Sequence, residues 1–423
     1  DVVGLGEMMN FPGILGGEEN AQHEVGETLK AGKCVTGHYS ISETDRGLNA
    51  YIASGVRACH ECITADDVMA KLRMGMYVQA RYGSAWLSLP NYLPRVLESG
   101  VDTRLIILCT DDNHPNTLVN EGGMDRALRA VLECGCDPVT ALQFATINAA
   151  QCLGVDQDMG SVAPGKCADM VILPDLESFI PEQVYIDGDL VAKDGEPTFD
   201  HELFEWPDFM THTMNVGRTF TAADFEIPVD RPDGMCRVRA IGGVGGSTIT
   251  EDAVIEVPVV NGKLQANPAI DALKMAVFDR HHGAEGTHSF GFCTGFGVHG
   301  ALAQTVAHDS HNLLVVGDND EDMALAAQTL VECGGGEVAV QDGRVLALVE
   351  LPVCGLMSDK HVEEVAQEVA AIEQAWADMG CKMPSPFMTM GILSLPCVPV
   401  LRLTNRGYVN CLTFQFEDLL IEE

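Results

Sequence analysis

The stretch CVTGHYSISETDRGLNAYIASGVRACHE, residues 34–61, has the pattern of a β-strand, an α-helix and a second β-strand. Its apolar runs at either end are separated by GLNAYIASG (47–55), a helical segment that Gly55 ends. Short strands that alternate with helices in this way are typical of βα units and a parallel sheet. The stretch therefore predicts an α/β fold for the part of the chain around it.

The same alternation extends in both directions, from residue 1 to about residue 150. DVVGLGE (1–7) predicts a strand before this stretch, and MYVQAR (76–81) and RLIILCTDD (104–112) predict strands after it. TADDVMAKLRMG (64–75) predicts a helix with Thr64 as its N-cap. MDRALRAVLECG and PVTALQFATINAAQCLG predict two further helices.

Glu7, His38, His60 and Asp111 each end one of the apolar runs. In a parallel α/β barrel the carboxyl ends of the strands form one face, so these side chains are expected to converge there. A single histidine at a strand end is more often a hydrogen-bonded structural residue, but four such side chains at strand ends favour a metal site. Carboxylate and imidazole ligands suit Zn, Fe or Mn. Glu7 is the predicted bridge between two cations, and Asp111 is the predicted proton carrier.

The alternation of predicted strands and helices stops near residue 160. MGSVAPGKCADMVILP and VYIDGDLVAKDG predict β-hairpins with Gly-Asp turns, which form a small sheet. The segment from about residue 200 to 235 is acidic with little periodicity and predicts a linker. The remainder mixes strands with two amphipathic helices, DEDMALAAQTLVECG and EEVAQEVAAIEQAWADMG, and predicts a separate α+β domain.

Composition excludes several classes of function. The chain has 423 residues, of which 46% are hydrophobic, and it carries 25 Lys+Arg against 62 Asp+Glu, a net charge of -37. This charge repels nucleic acid and anionic membranes. No apolar run approaches the ~20 residues that span a bilayer. The 15 cysteines are scattered along the chain, which indicates reduced thiols rather than a disulfide framework. Reduced thiols predict a cytoplasmic location.

Several motifs resemble the adenine deaminases of the amidohydrolase superfamily. They are GLGEMMNFPGIL, GHYSISETDRGLNAYIASGVRACHECITADDVMAKLRMGMY, CTDDNHP, RHHG, VAHDSHNLLVVGDNDEDMALA, LPVCGLMSDK and PFMTMGILSLPCVP. The likeness runs from the first residue to about residue 411 and is weaker between residues 200 and 250. It implies a metal-dependent (β/α)8 barrel, incomplete at its N-terminus, with its C-terminal half in residues 1–154. Part of a small β-sandwich then occupies 155–200, and a linker and family-specific α+β domain occupy 201–423.

The resemblance also implies a reaction and roles for residues. The reaction is the hydrolysis of adenine to hypoxanthine and ammonia by a metal-activated hydroxide. Glu7 matches the metal-bridging glutamate, His38 and His60 match metal ligands, and Asp111 matches the aspartate that binds metal and shuttles the proton. The implied cofactor is a divalent metal pair, Mn²⁺ or Fe²⁺, with Zn²⁺ as a further option, and the implied assembly is a homo-oligomer.

Two departures from the family pattern leave alternatives open. The first-strand His-x-His pair of the family is absent, with the first three barrel strands and the opening part of the sandwich, so the chain resembles the downstream portion of the enzyme. Tyr-Ser-Ile follows His38, where many relatives carry Ala-Pro-Gly. We therefore expect weak metal binding and little activity unless another chain supplies the missing strands. The alternatives are hydrolysis of a cyclic or linear amide, and a non-catalytic fragment.

Other polar residues are candidates for contacts with the substrate. Arg81 and Ser84 follow a predicted strand, where they can meet the purine edge or form a salt bridge and a helix cap. His114 is either a partner of the metal ligands or an exposed turn residue. A further group is expected either to close over the barrel mouth, touching substrate or an extra metal, or to form a turn network: His281, His282, His308, Asp309 and His311.

Overall fold

A computed structural model describes residues 2–200, 204–242, 248–383 and 385–421 of the chain. The chain divides into two compact units, the first comprising Asp1–Asn113 and Asn120–Glu202 and the second His114–Val119 and Leu203–Glu423. The domain boundary expected from the sequence lies between residues 200 and 201, and residue 201 is outside the described residues. The segment His114–Val119 groups with the second unit, although the chain on both sides of it belongs to the first.

The first unit contains the predicted parallel sheet, in which the strands pair in chain order. These strands are β1 (Gly4–Met8), β2 (Cys34–Gly37), β3 (Ala58–Cys59), β4 (Tyr77–Arg81) and β5 (Ile106–Cys109). Val35, Ala58 and Val78 on its inner strands are completely buried. The apolar runs around these three residues are therefore buried strands, and the carboxyl ends of the parallel strands lie at one edge of the sheet.

Helices connect and follow these strands. They are α1 (Phe11–Gly16), α2 (Glu19–Lys30), α3 (Arg46–Ala53), α4 (Ala65–Arg73), α5 (Leu89–Glu98), α6 (Pro115–Asn120), α7 (Met124–Glu133), α8 (Pro138–Ala145) and α9 (Ile147–Leu153). The prediction for α4 is confirmed, since the Thr64 side chain accepts a hydrogen bond from the backbone N–H of Asp67.

The prediction of one helix from PVTALQFATINAAQCLG is wrong, because the chain leaves helical geometry at Thr146 and forms α8 and α9. The buried Asn148 side chain donates to the carbonyl oxygen of Ile106 at 2.9 Å. This bond ties the start of α9 to the start of β5, which a continuous amphipathic pattern does not reveal.

The predicted hairpins form an antiparallel sheet at the end of the first unit. Its strands are β6 (Met170–Ile172), β7 (Gln183–Ile186), β8 (Asp189–Lys193) and β9 (Glu196–Pro197), paired in chain order. Asp187 and Gly188 both have positive φ, as do Asp194 and Gly195. Type I′ turns need positive φ at both of their central residues. These turns connect hairpin strands well because their twist matches the right-handed twist of the strands.

The second unit is built on a mixed sheet with the strand order β10-β13-β12-β11-β15-β14-β17-β16-β18-β19. These strands are β10 (Ile227–Pro228), β11 (Gly234–Gly242), β12 (Glu251–Val260), β13 (Lys263–Leu264), β14 (Leu273–Phe278), β15 (His288–Cys293), β16 (Ala301–Gln304), β17 (Leu313–Gly317), β18 (Gly336–Gln341) and β19 (Arg344–Glu350). The described pairings are antiparallel except that of β11 with β15. A smaller sheet contains β20 (Leu401–Thr404), β21 (Gly407–Asn410) and β22 (Gln415–Glu417).

Two helices of the second unit, α11 (Asp320–Cys333) and α12 (Val362–Asp378), cover opposite faces of the mixed sheet. The unit also contains the shorter helices α10 (Asp208–Thr211) and α13 (Pro386–Gly391). Met275 of β14 belongs to the core that contains Trp376 of α12, whereas Ala276 belongs to the core that contains Leu330 of α11. Since successive side chains of a strand point to opposite faces, α11 and α12 pack on different sides.

The predicted strand ALAQTVAH is shorter than expected, because β16 ends at Gln304. The buried Thr305 donates its hydroxyl to the carbonyl oxygen of Gly355 at 2.6 Å and accepts from the backbone N–H of Gly336 at 2.8 Å. His308–His311 therefore lie in a turn between β16 and β17.

Among the described residues no helix is both long and apolar enough to cross a membrane.

Candidate metal centre

Glu7, His38 and His60 come together at the carboxyl ends of neighbouring parallel strands. Glu7 lies in β1, His38 follows β2 and His60 follows β3. Nε2 of His60 is 3.2 Å from Oε2 of Glu7 and 3.1 Å from Nδ1 of His38, which is 3.9 Å from the same Glu7 oxygen. One potential ligand atom from each residue lies within 4.8 Å of the others. A single cation can therefore contact all three.

Asp111 reaches the same region from the end of β5. Its Oδ2 atom lies 3.9 Å from Nε2 of His60. Asp111 has a φ of 59°, a left-handed conformation that aspartate tolerates better than most residues. His60, Glu61 and Asp111 form a second group with ligand atoms within 4.8 Å. His60 belongs to both groups, so the four residues expected from the sequence lie around one point.

Glu61 is a member of this site that sequence reasoning missed. It is 8% exposed, and its Oε1 atom lies 2.6 Å from Nη1 of Arg81, the last residue of β4. Burial alone raises the pKa of the Glu61 carboxyl, but the Arg81 guanidinium and the imidazoles of His38 and His60 outweigh it and lower this pKa to about 2. Glu61 is therefore ionised beside the metal ligands.

Arg81 joins two carboxylates. Its Nη1 atom is also 2.8 Å from Oδ2 of Asp111, and its side chain is almost completely buried. The sequence left two interpretations of Arg81, a contact with the purine edge and a salt bridge. The structure gives contacts for the salt bridge. Burial alone lowers the pKa of Arg81, but the charges of Glu61 and Asp111 raise it overall, so the guanidinium stays charged.

Tyr51 of α3 supports the strand ends, and it too was missed. Its hydroxyl accepts from the backbone N–H of His38 at 3.0 Å and donates to the carbonyl oxygen of Met8. A Cβ on Gly37 would collide with this hydroxyl and with Val56. The sequence signal was weak, because a buried tyrosine in a helix after a strand is usually part of the core.

Ser84 contacts the loop that follows β5, at Asp112 and Asn113, and does not cap a helix. The backbone N–H of Ser84 donates to the carbonyl oxygen of Asp112 at 3.1 Å, and its hydroxyl is 3.4 Å from Oδ1 of Asn113. The helix-cap prediction for Ser84 is wrong, because α5 begins after Ser88.

The interpretation of His114 as an exposed turn residue is also wrong. Its side chain is 11% exposed, and Nδ1 lies 3.3 Å from Oε1 of Glu373 on α12. This pairing lies within the second unit and links residues far apart in sequence, so no local pattern reveals it. Its role beside the metal ligands stays a prediction.

The five residues expected to close over the barrel mouth fall into two sets. His308, Asp309 and His311 have ligand atoms within 4.8 Å of one another. Nε2 of His281 is 2.7 Å from the carbonyl oxygen of Ser310, in the same turn. His282 is instead exposed, with Nδ1 2.8 Å from Oδ2 of Asp279. The expectation that this group closes over the barrel mouth stays a prediction.

Comparisons with known proteins identify the family of the chain. Residues 247–415 match the model of the adenine deaminase C-terminal domain, and residues 91–191 match that of the amidohydrolase family. An adenine deaminase of Clostridium botulinum (strain 657 / Type Ba4) is 50% identical over 424 residues, which cover 100% of this chain and 70% of the relative. An adenine deaminase of Moorella thermoacetica is 45% identical over 420 residues, covering 99% of this chain and 70% of the relative. The chain belongs to the adenine deaminase family.

Among solved structures, the N-acetylglucosamine-6-phosphate deacetylase from Pasteurella multocida overlaps 42% of this chain and 55% of its own, with 17% identity and a TM-score of 0.35. Family membership implies a divalent metal. The carboxylates and imidazoles around His60 fit such an ion, because they are ligand types that Zn, Fe and Mn share.

Proposed function

We propose that this protein deaminates adenine hydrolytically to hypoxanthine and ammonia, with the side chains around His60 as its active site. The 50% identity to an adenine deaminase over the whole chain supports the reaction. The observation that carries the assignment of the site is the convergence of Glu7, His38 and His60 within 4.8 Å, with Asp111 at its edge.

Each residue has a role that its position and chemistry support. Glu7, His38 and His60 would hold the metal, and Glu7 has two carboxylate oxygens with which to bridge a pair of ions. The resemblance to adenine deaminases is the ground for proposing a pair of ions, for which Mn²⁺ or Fe²⁺ are the proposed identities and Zn²⁺ a further option. When bound, a divalent ion supplies Lewis acidity that makes water nucleophilic at neutral pH.

Asp111 is the proposed proton carrier. As water adds to C6 of adenine, the Asp111 carboxylate takes one of its protons and delivers it to the amino nitrogen, which leaves as ammonia when the C6–N bond breaks. The other hydrogen of the water ends on ring nitrogen N1 of hypoxanthine. Arg81 holds Oδ2 of Asp111 at 2.8 Å and so orients the carboxylate that would accept this proton. A carboxylate at this edge can reach both the incoming water and the leaving nitrogen.

The fold supports a corresponding division of the chain. We propose that residues 1–154 form the C-terminal half of a (β/α)8 barrel, that 155–200 contribute to a small β-sandwich, and that 201–423 contain a linker and a family-specific domain. Parallel pairing of β1 to β5 in chain order supports the first of these assignments. A homo-oligomer in the cytoplasm is the proposed setting.

The test is ammonia release from adenine by the purified chain, supplemented with a segment that carries the family's first-strand His-x-His pair, and loaded with Mn²⁺ or, without oxygen, with Fe²⁺. We expect ammonia and hypoxanthine in equal amounts, and loss of both metal and turnover, by at least about 100-fold, in His60→Ala. His23→Ala is the matched control, since His23 is 76% exposed and lies 3.9 Å from Glu27. Ammonia from a cyclic or linear amide but not from adenine would overturn the substrate. A folded, metal-free chain without turnover would support the non-catalytic alternative.

A further inference from the structure

A second cluster of metal-ligand side chains lies in the second unit, in the turn between β16 and β17. Nδ1 of His308 is 3.4 Å from Oδ1 of Asp309, and the ring centroids of His308 and His311 are 5.6 Å apart. One potential ligand atom from each of these residues lies within 4.8 Å of the others. The cluster shares no residue with the groups around His60.

Bonds from outside the turn fix its backbone. The N–H of His308 donates to the carbonyl oxygen of Gly391 at 2.9 Å, and the Ser394 hydroxyl donates to the carbonyl oxygen of His308 at 3.2 Å. The buried guanidinium of Arg280 donates through Nε to the carbonyl oxygen of His311. Side chains on a backbone held in this way lose little freedom when they bind a ligand together.

His311 provides a second, independent observation. Its Nδ1 atom is buried and has no hydrogen-bond partner among the described residues. A buried polar atom without a partner costs about 1–3 kcal/mol, and such atoms are rare in folded proteins. A cation bound in the turn is the kind of partner that an imidazole nitrogen lone pair requires.

Access to the turn is open on one side. The side chains of His308 and Asp309 are 24% and 48% exposed. An ion can therefore enter from solvent and keep water or another small ligand in its remaining coordination positions. Two imidazoles and one carboxylate are a ligand set for Zn²⁺, Fe²⁺ or Mn²⁺, and they lack the thiolates that select softer ions.

We propose that His308, Asp309 and His311 form a further divalent-cation site, carried entirely by the second unit. This site is additional to the metal that the proposed reaction uses, and its ligands do not depend on Glu7, His38 or His60. Its occupancy therefore survives removal of the proposed active-site metal.

The test measures Zn²⁺ and Mn²⁺ bound to the full chain after dialysis against a weak chelator, which removes ions held loosely by the acidic surface. In the His60→Ala background, where the first site is lost, we expect about one equivalent of metal to remain. Adding His308→Ala or Asp309→Asn to this background should remove that equivalent. His299→Ala should keep it, because His299 is 68% exposed and pairs with Asp318 instead.

Asp309→Asn guards against misfolding, since it keeps the shape of a half-exposed side chain while removing a ligand charge. Binding of Co²⁺ followed by visible absorption gives a second readout, because imidazole coordination changes the spectrum of the ion. If His60→Ala binds no metal after dialysis, the proposal is overturned. Metal retained unchanged in both His308→Ala and Asp309→Asn would also overturn it and assign the ion to surface carboxylates.

Discussion

Nη1 of Arg81 lies 2.8 Å from Oδ2 of Asp111, so the proposed proton carrier is held by a buried guanidinium. The same nitrogen lies 2.6 Å from Oε1 of Glu61. One cation thus neutralises two carboxylates at the edge of the metal-ligand cluster. The arrangement fixes the orientation of Asp111 and makes the stability of the site depend on Arg81.

Replacing Arg81 by Met is expected to destabilise the protein by about 3–5 kcal/mol, because it leaves the carboxylates of Glu61 and Asp111 without their buried counter-charge. Urea unfolding of the variant and the parent chain measures this difference. Arg95→Met is the control. Arg95 is 65% exposed and pairs with Asp66 on the surface, so its loss should change stability by less than about 0.5 kcal/mol. Equal effects of the two substitutions would contradict the role given to Arg81.

Tyr51→Phe is expected to weaken metal binding without removing a ligand. Loss of the hydroxyl leaves the N–H of His38 and the carbonyl oxygen of Met8 without their partner, which costs about 1–3 kcal/mol. Because these groups fix the strand ends that carry His38 and Glu7, we expect metal affinity to fall about 10-fold, as for other residues that orient ligands. Titration of the metal-free chain with Mn²⁺ measures the affinity.

Tyr185→Phe is the matched control for Tyr51→Phe. The hydroxyl of Tyr185 lies 2.7 Å from Oε1 of the Gln183 side chain, in the partly exposed strand β7. We expect it to leave Mn²⁺ affinity unchanged. A Tyr51→Phe variant with lower stability but normal affinity would restrict Tyr51 to a role in the core.

The sequence predicted the strand ends of the site because each apolar run stops at a carboxylate or imidazole, and because parallel strands end at a common edge. It missed Glu61, which reads as an ordinary polar residue after a strand. Glu61 is buried only because Arg81 arrives from the neighbouring strand to pair with it. The break at Thr146 was missed for a similar reason, since it accompanies a bond from Asn148 to β5. Contacts between residues that are far apart in the sequence form only in the folded chain, so they leave no pattern in the local sequence.

Metal removal is expected to lower the thermal stability of the protein. An ion bound at a concentration about 100-fold above its dissociation constant stabilises the folded state by about 2.7 kcal/mol. Melting the chain with and without excess Mn²⁺ measures this shift. His60→Ala should reduce the shift, whereas His23→Ala should preserve it. An identical shift in the parent chain and His60→Ala would mean that the ion stabilises the fold from elsewhere.

Glu337→Gln is expected to stabilise the second unit at neutral pH. Burial and the charge of nearby Glu373 raise the pKa of the Glu337 carboxyl well above its usual value of 4.5. Above that value the unfolded chain releases this proton while the folded chain keeps it, so the parent protein loses stability as the pH rises. Each pKa unit corresponds to about 1.4 kcal/mol. A neutral glutamine removes this loss.

Melting temperatures of Glu337→Gln and the parent chain should therefore coincide below about pH 4.5 and separate as the pH rises above it, with the variant higher. Glu332→Gln, on the exposed side of α11, is the control and should follow the parent chain at each pH. A difference between Glu337→Gln and the parent that is constant with pH would mean that the substitution acts through packing. Convergence at low pH requires that the carboxyl of Glu337 is the group whose ionisation opposes folding.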